Sequence, residues 1–110
     1  MNKELRQTYR DDFAKMRTLI NEFDPCSFIN AGAPDDEYDG LTHKTLSHIY
    51  IGNTRDEIKR MIMLDLEFHY GCIDEQKFKE NPEFERLFKA DFEIFLDKLD
   101  ATFTDKNASR

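Results

Sequence analysis

Residues 81–103 have the sequence NPEFERLFKADFEIFLDKLDATF, which contains a wide apolar stripe at helical spacing. Asn81 is a residue type that caps helices, and Pro82 suits the first helical position because the amide there has no intrahelical partner. Apolar residues then recur at helical spacing, at Phe84, Leu87, Phe88, Phe92, Phe95, Leu96, Leu99 and Phe103. This wide stripe predicts a long amphipathic helix whose Phe side chains fill a core.

Three earlier stretches also predict helices. The first covers residues 2–23, with Asn2 as its cap, and ends before Asp24-Pro25, because the residue before a proline avoids the helical region. The third covers residues 54–71, where Thr54 and Glu57 have the spacing of a capping box. Gly71 suits the end of that helix, since glycine tolerates a left-handed turn.

The second helix is expected over residues 41–51, with Asp39 as its N-cap and Gly52 as its stop. Residues 46–51 also have the alternation of a strand, but no other segment offers a partner strand, so helix is preferred. A short helical turn is expected at residues 74–78. Together these patterns predict an all-α, single-domain bundle of about four helices over residues 1–110, with a frayed polar tail at 104–110.

A long acidic loop is expected between the first and second helices. Residues 24–40 contain five acids and no base, and so supply five of the seven net negative charges. A connection of this length in a small domain is uncommon and is usually functional or disordered. We predict that it binds a partner through Asp24, Asp35, Asp36, Glu37, Tyr38 and Asp39, and that Asp11 and Asp12 of the first helix extend this surface.

The overall charge narrows the class of partner. The chain has 23 acidic and 16 basic residues. This balance argues against binding nucleic acid or anionic membranes, both of which attract basic surfaces, and favours a basic protein partner. No signal peptide and no apolar stretch long enough to cross a bilayer is recognisable, so we expect a cytoplasmic protein in which Cys26 and Cys72 are reduced, buried thiols.

Part of the sequence resembles the YugE-like family of small bacterial helical proteins. The resemblance covers about residues 18–71, and is carried by Asp24-Pro25, by the run from Gly32 to Asp39, and by Phe68-His69-Tyr70-Gly71. The sequence departs from the family pattern at residues 26–28. The resemblance implies an all-helical, cytoplasmic bacterial protein and implies no activity.

Neither a metal site nor a cofactor is expected. Asp35, Glu37, Asp39 and Gly40 imitate the start of an EF-hand calcium loop, but its twelfth position, which must be a bidentate acid, is Leu46. The sequence has no zinc-type ligand spacing and no glycine-rich phosphate loop.

No catalytic residue is expected either. Asp65, His69 and Cys72 would share one helical face only if the helix continued past Gly71, and Asp65, inside an apolar stripe, is better explained as the partner of a base. Neither cysteine lies in the electropositive setting that a reactive thiol needs. The sequence therefore predicts a protein that is not an enzyme.

These observations favour a non-catalytic binding module, an acidic bacterial immunity or inhibitor protein that neutralises a basic, nuclease-type toxin by direct contact. Two alternatives stay open. One is a homodimer formed through the Phe-rich C-terminal helix, and the other is a small cytoplasmic protein that binds a small ligand or divalent ion at the acidic loop.

Overall fold

The computed structural model describes residues 3–103 and contains five helices in that range. They are α1 (Lys3–Phe23), α2 (Asp39–Tyr50), α3 (Arg55–Phe68), α4 (Glu75–Glu80) and α5 (Pro82–Thr102). No strand occurs within residues 3–103, so the all-α prediction is confirmed and residues 46–50 belong to a helix. The cap expected at Asn2 and the tail expected at residues 104–110 lie outside the described residues.

The helix count is five rather than about four, because the turn expected at residues 74–78 forms a helix of its own. The Asp74 carboxylate accepts a hydrogen bond from the Lys77 backbone N–H at 2.7 Å and so caps the start of α4. α3 begins with the predicted capping box. The Thr54 hydroxyl accepts from the Glu57 N–H at 3.2 Å, and the Glu57 carboxylate accepts from the Thr54 N–H at 2.8 Å.

The core is built where α1 packs against both α2 and α5, and α2 packs against α3. Phe23 of α1 lies between 5.2 and 5.7 Å, centroid to centroid, from the rings of Phe88, Phe92 and Phe95. These three α5 side chains are at most 5% exposed. The predicted stripe is therefore core at these three Phe residues, which fix α5 against α1 through aromatic contacts. Its Leu87, in contrast, is 49% exposed.

Charged side chains attach the start of α3 to α5. Arg55 forms ion pairs with Glu93, Asp97 and Asp100, at distances of 2.7 to 2.9 Å. Lys59, one turn later, also pairs with Glu93 at 2.7 Å. Several acids of α5 are thus already neutralised within the fold.

Within residues 3–103, none of the helices combines the length and the apolar character required to cross a membrane.

Candidate functional site

The acidic segment, residues 24–38, connects α1 to α2 as a series of hydrogen-bonded turns. The backbone N–H of Ser27 donates to the Asp24 carbonyl at 3.0 Å, and that of Glu37 donates to the Pro34 carbonyl at 3.2 Å. The segment therefore has a defined backbone course that its own side chains help to set.

Asp24 organises the first half of the segment. Its φ of 47° lies in the left-handed region, which Asp tolerates better than most residues. Its carboxylate accepts hydrogen bonds from the backbone N–H groups of Ile29 at 3.1 Å and Asn30 at 2.9 Å, and from the Tyr38 hydroxyl at 2.7 Å. All three bonds lie within the acidic segment, so Asp24 stabilises the segment's conformation.

Tyr38 anchors the second half of the segment in the core. It is 0% exposed and its ring stacks on Phe28 at a centroid distance of 5.5 Å. Its hydroxyl accepts from the Cys26 N–H at 2.9 Å while donating to Asp24. Burial first, and the bond to Asp24 second, raise the pKa of Tyr38 well above its ordinary value. The Tyr38 side chain is therefore not at the surface where a partner would contact it.

A disulfide joins Cys26 of the acidic segment to Cys72, which lies between α3 and α4. Their Cα atoms are 5.5 Å apart, within the usual range for such a bond. The prediction of two reduced thiols is wrong. Pairing depends on a tertiary proximity between positions 46 residues apart, which spacing alone does not reveal. The bond fixes the acidic segment to the far end of α3.

Asp39 is not the N-cap of α2 but its first residue, and the N-cap Tyr38 makes no side-chain capping bond. The Asp39 carboxylate is instead gripped by Arg17 of α1, whose Nε and Nη2 donate at 3.0 and 2.6 Å. This two-point pairing raises the pKa of Arg17 and neutralises the Asp39 charge within the fold.

Three of the predicted binding residues are exposed, and we name Asp35, Asp36 and Glu37 the acidic turn. Asn21 of α1 donates from Nδ2 to the Asp35 carbonyl at 2.9 Å, which fixes the turn against α1. The structure thus separates the predicted set into three exposed residues, two half-buried acids bonded within the fold, Asp24 and Asp39, and the buried Tyr38.

The binding surface was expected to extend along α1 through Asp11 and Asp12, but only one of these two residues is exposed. Asp11 is exposed, but Asp12 is 6% exposed and accepts a hydrogen bond from the Tyr50 hydroxyl at 2.6 Å. Asp12 therefore ties α1 to α2 and contributes no accessible charge.

An open cleft of about 640 Å³ between α2 and α3 was not predicted. Asp65 on its wall pairs with Lys44 at 2.5 Å, which confirms the expectation that this acid meets a base. Leu64 and Phe68, also in the cleft, are 50% and 77% exposed. Asp65 interrupts the apolar stripe of the third predicted helix, and this was the sequence signal for the cleft. The stripe alone does not show which of its apolar residues lie outside the core.

Metal ligation finds no support in residues 3–103, where no group of three or more His, Cys, Asp or Glu side chains is placed to hold an ion. Comparisons of the chain with protein-family models, with curated proteins and with solved structures give no match.

Raising the pH above 10 is expected to destabilise the fold through Tyr38 and Tyr50. Burial first, and then the bonds to Asp24 and Asp12, raise the pKa of both hydroxyls. In the unfolded chain these groups titrate near pH 10, so their stabilisation is complete below about pH 10 and is lost as the pH rises toward the folded pKa values. We expect a loss of about 2 kcal/mol between about pH 9 and 11.

Most of this loss is assigned to Tyr38, because Tyr50 is 43% exposed and solvent weakens its contribution. Urea unfolding followed by circular dichroism at several pH values measures the effect. A variant carrying Tyr38→Phe and Tyr50→Phe should show a flatter pH dependence over the same range. An equally steep dependence in that variant would contradict the assignment.

Proposed function

We propose that this protein is a non-catalytic binding protein that neutralises a basic partner by direct contact, in the manner of an acidic bacterial immunity or inhibitor protein acting on a nuclease-type toxin. The observation that carries the proposal is the acidic turn. Asp35, Asp36 and Glu37 are exposed side by side on a chain whose net charge is −7.

The mechanism is occlusion of a basic surface. A nuclease contacts phosphates with Lys and Arg side chains, and the carboxylates of an inhibitor form ion pairs with those same side chains. Opposite charges also accelerate the encounter and disfavour partners of the wrong sign. The acidic turn would supply this charge, since Asp39 is paired with Arg17.

The rigidity of the turn supports the proposal. Binding is weakened by the entropy lost when flexible groups become ordered, and a surface ordered in advance avoids that loss. Here the Asp35 carbonyl is held by Asn21, the neighbouring Tyr38 is buried, and the Cys26–Cys72 disulfide fixes the start of the segment. The three carboxylates are thus presented by a backbone that does not need to order on contact.

Charge reversal tests this surface. We expect the triple variant Asp35→Lys, Asp36→Lys and Glu37→Lys to keep the fold and to associate with its basic partner roughly 10- to 100-fold more slowly at low ionic strength. The partner to be assayed is the basic product of the gene next to the one encoding this chain, and stopped-flow fluorescence gives the association rate.

The matched control carries the same change in net charge at acids outside the segment, Glu4→Lys, Asp56→Lys and Asp91→Lys, which lie on α1, α3 and α5 and are exposed. If this control slows association as much as the first variant, the acidic turn has no special part in binding. If the neighbouring product is not toxic to cells lacking this protein, or no complex forms, the inhibitor proposal fails.

A homodimer formed through α5 is the second candidate. The Phe side chains of α5 lie in the core, but Leu87 and Ile94, seven positions apart on the helix, are 49% and 53% exposed. An apolar pair at this spacing is typical of a helix seam. Sedimentation equilibrium at high protein concentration decides between monomer and dimer, and a monomer dismisses this candidate.

Membership of the YugE-like family is also a proposal, carried by the resemblance over residues 18–71. The resemblance implies the all-helical fold that the structure has. It adds no activity to the binding function proposed here.

A further inference from the structure

Two small pockets open along the seam between α1 and α5. Their volumes are about 150 Å³ and about 160 Å³. Phe23 of α1 and Asp91 of α5 line both pockets, so the two are neighbours on one surface. Pockets for small organic ligands usually begin at about 300 Å³, whereas a cavity of about 150 Å³ holds one benzene-sized group. Each pocket therefore has room for a single side chain.

The α5 residues that line each pocket have the spacing of the holes in a coiled coil. Positions 84, 87, 88 and 91 line the larger pocket, and positions 91, 94, 95 and 98 line the smaller one. Each set is i, i+3, i+4 and i+7, which are the four residues that surround a side chain inserted from a facing helix. The two sets are seven positions apart, or about 10 Å along the axis. The seam is therefore shaped to accept two side chains seven positions apart on one helix.

Each pocket also has an apolar side chain at its edge. Leu87 lines the larger pocket and Ile94 the smaller one, and each is about half exposed. Covering these side chains with apolar groups of a partner is favourable. The two inserted side chains are therefore expected to be aliphatic.

Asp91 lies at the junction of the two pockets and sets the charge of the seam. It is exposed, and within residues 3–103 it belongs to no ion pair. The other acids that line the pockets are already bonded. Glu22 pairs with Lys98 at 3.4 Å, and Asp24 accepts from backbone N–H groups of its own segment. A Lys or Arg placed between the two inserted side chains would pair with Asp91.

The same carboxylate disfavours a second copy of this chain as the occupant. Asp91 lies between Leu87 and Ile94, so a two-fold pairing through this seam would place it opposite the same residue of the second copy. Two carboxylates facing each other across an interface repel, whereas a basic side chain is attracted there.

We propose that the seam between α1 and α5 binds an amphipathic helix of a partner protein. This helix carries two aliphatic side chains seven positions apart, with a Lys or Arg between them on the same face. The aliphatic side chains enter the two pockets, and the basic group pairs with Asp91. This surface is separate from the acidic turn and does not depend on the inhibitor function proposed above.

The test is an NMR titration of the ¹⁵N-labelled protein with three peptides of about 15 residues, each held helical by a hydrocarbon staple on its far face. The basic probe has two leucines seven positions apart and a lysine four positions after the first. The acidic probe has glutamate in place of that lysine. The displaced probe keeps the lysine but has its second leucine moved by one position, which rotates it about 100° off the binding face.

We expect the basic probe to shift the amide signals of residues 84–98 and to leave those of residues 35–37 in place. The acidic and displaced probes should each bind at least about tenfold more weakly, because one meets Asp91 with a like charge and the other fills only one pocket.

A charge exchange tests the part played by Asp91. The variant Asp91→Lys should bind the acidic probe more tightly than the basic one, which reverses the order. The matched control Asp56→Lys, at an exposed acid of α3, makes the same change in net charge and should keep the original order. Both positions are exposed, so the fold is expected to persist, and the spectra of the free variants check this.

The proposal is overturned if no probe shifts the signals of residues 84–98, or if the basic and acidic probes bind equally well. Equal binding of the displaced probe would show that the two pockets do not set the spacing. Signals of residues 84–98 that move with protein concentration alone, together with a dimer in sedimentation equilibrium, would also overturn it, because a second copy would then occupy the seam.

Discussion

Reduction of the Cys26–Cys72 disulfide is expected to lower the free energy of unfolding by about 4 kcal/mol. The bond joins positions 46 residues apart, and the unfolded chain regains the entropy of that closed loop when the bond is broken. For a protein of this size the melting temperature should fall by on the order of 20 °C. An effect of this size is a large share of the stability of a typical domain.

Thermal and urea unfolding, followed by circular dichroism with and without a non-thiol reductant, measure the effect. The double variant Cys26→Ser and Cys72→Ser is the control, and its stability should match that of the reduced protein and should not respond to reductant. Thiol alkylation before and after reduction, read by mass spectrometry, confirms which form is present. An oxidised protein that unfolds at the same urea concentration as the double variant would contradict the prediction.

Replacement of Asp24 by Ala is expected to cost about 3 kcal/mol of stability. The change removes the acceptor for two backbone N–H groups and for the Tyr38 hydroxyl, and bonds to a charged acceptor are the stronger ones. It also places Ala at a φ of 47°, a conformation that Ala adopts at a cost of about 1 kcal/mol.

Two further substitutions at position 24 separate the stability lost with the hydrogen bonds from the stability lost through backbone strain. Asp24→Gly removes the hydrogen bonds without the backbone strain, so it should be about 1 kcal/mol less harmful than Asp24→Ala. Asp24→Asn keeps an oxygen acceptor and the tolerance for positive φ, and should be the mildest of the three. Urea unfolding ranks them, and an Asp24→Ala protein as stable as the Asn variant would show that the carboxylate contacts contribute little.

The helices were predictable because each depends on local signals. The capping box at Thr54 and Glu57, the proline at the start of α5 and the Phe stripe that follows all act within a few turns of the chain. Helix α4 was predicted only as a helical turn at residues 74–78, because six residues are too few for a periodic pattern. Its cap, Asp74, was its clearest sequence signal.

The acidic segment was harder to predict, because composition gives the number of charged residues but not whether each one faces solvent or bonds within the fold. Asp35, Asp36 and Glu37 are at the surface as expected. Asp24 is bonded inward, because a short carboxylate in a turn readily bonds nearby backbone N–H groups. Asp39 meets Arg17 from another helix, which is a tertiary contact that no local pattern encodes.

The disulfide also gives the covalent molecule the form of a ring with two tails. Helices α2 and α3 lie wholly within the ring closed between Cys26 and Cys72, while α1 forms one tail, and α4 and α5 the other. A single peptide-bond break anywhere in residues 27–71 therefore opens the ring but leaves one molecule, with the acidic turn still attached to both tails. The same break in α1 or α5 would release a fragment. A single cut in the part of the chain that presents the acidic turn therefore leaves both products joined by the disulfide.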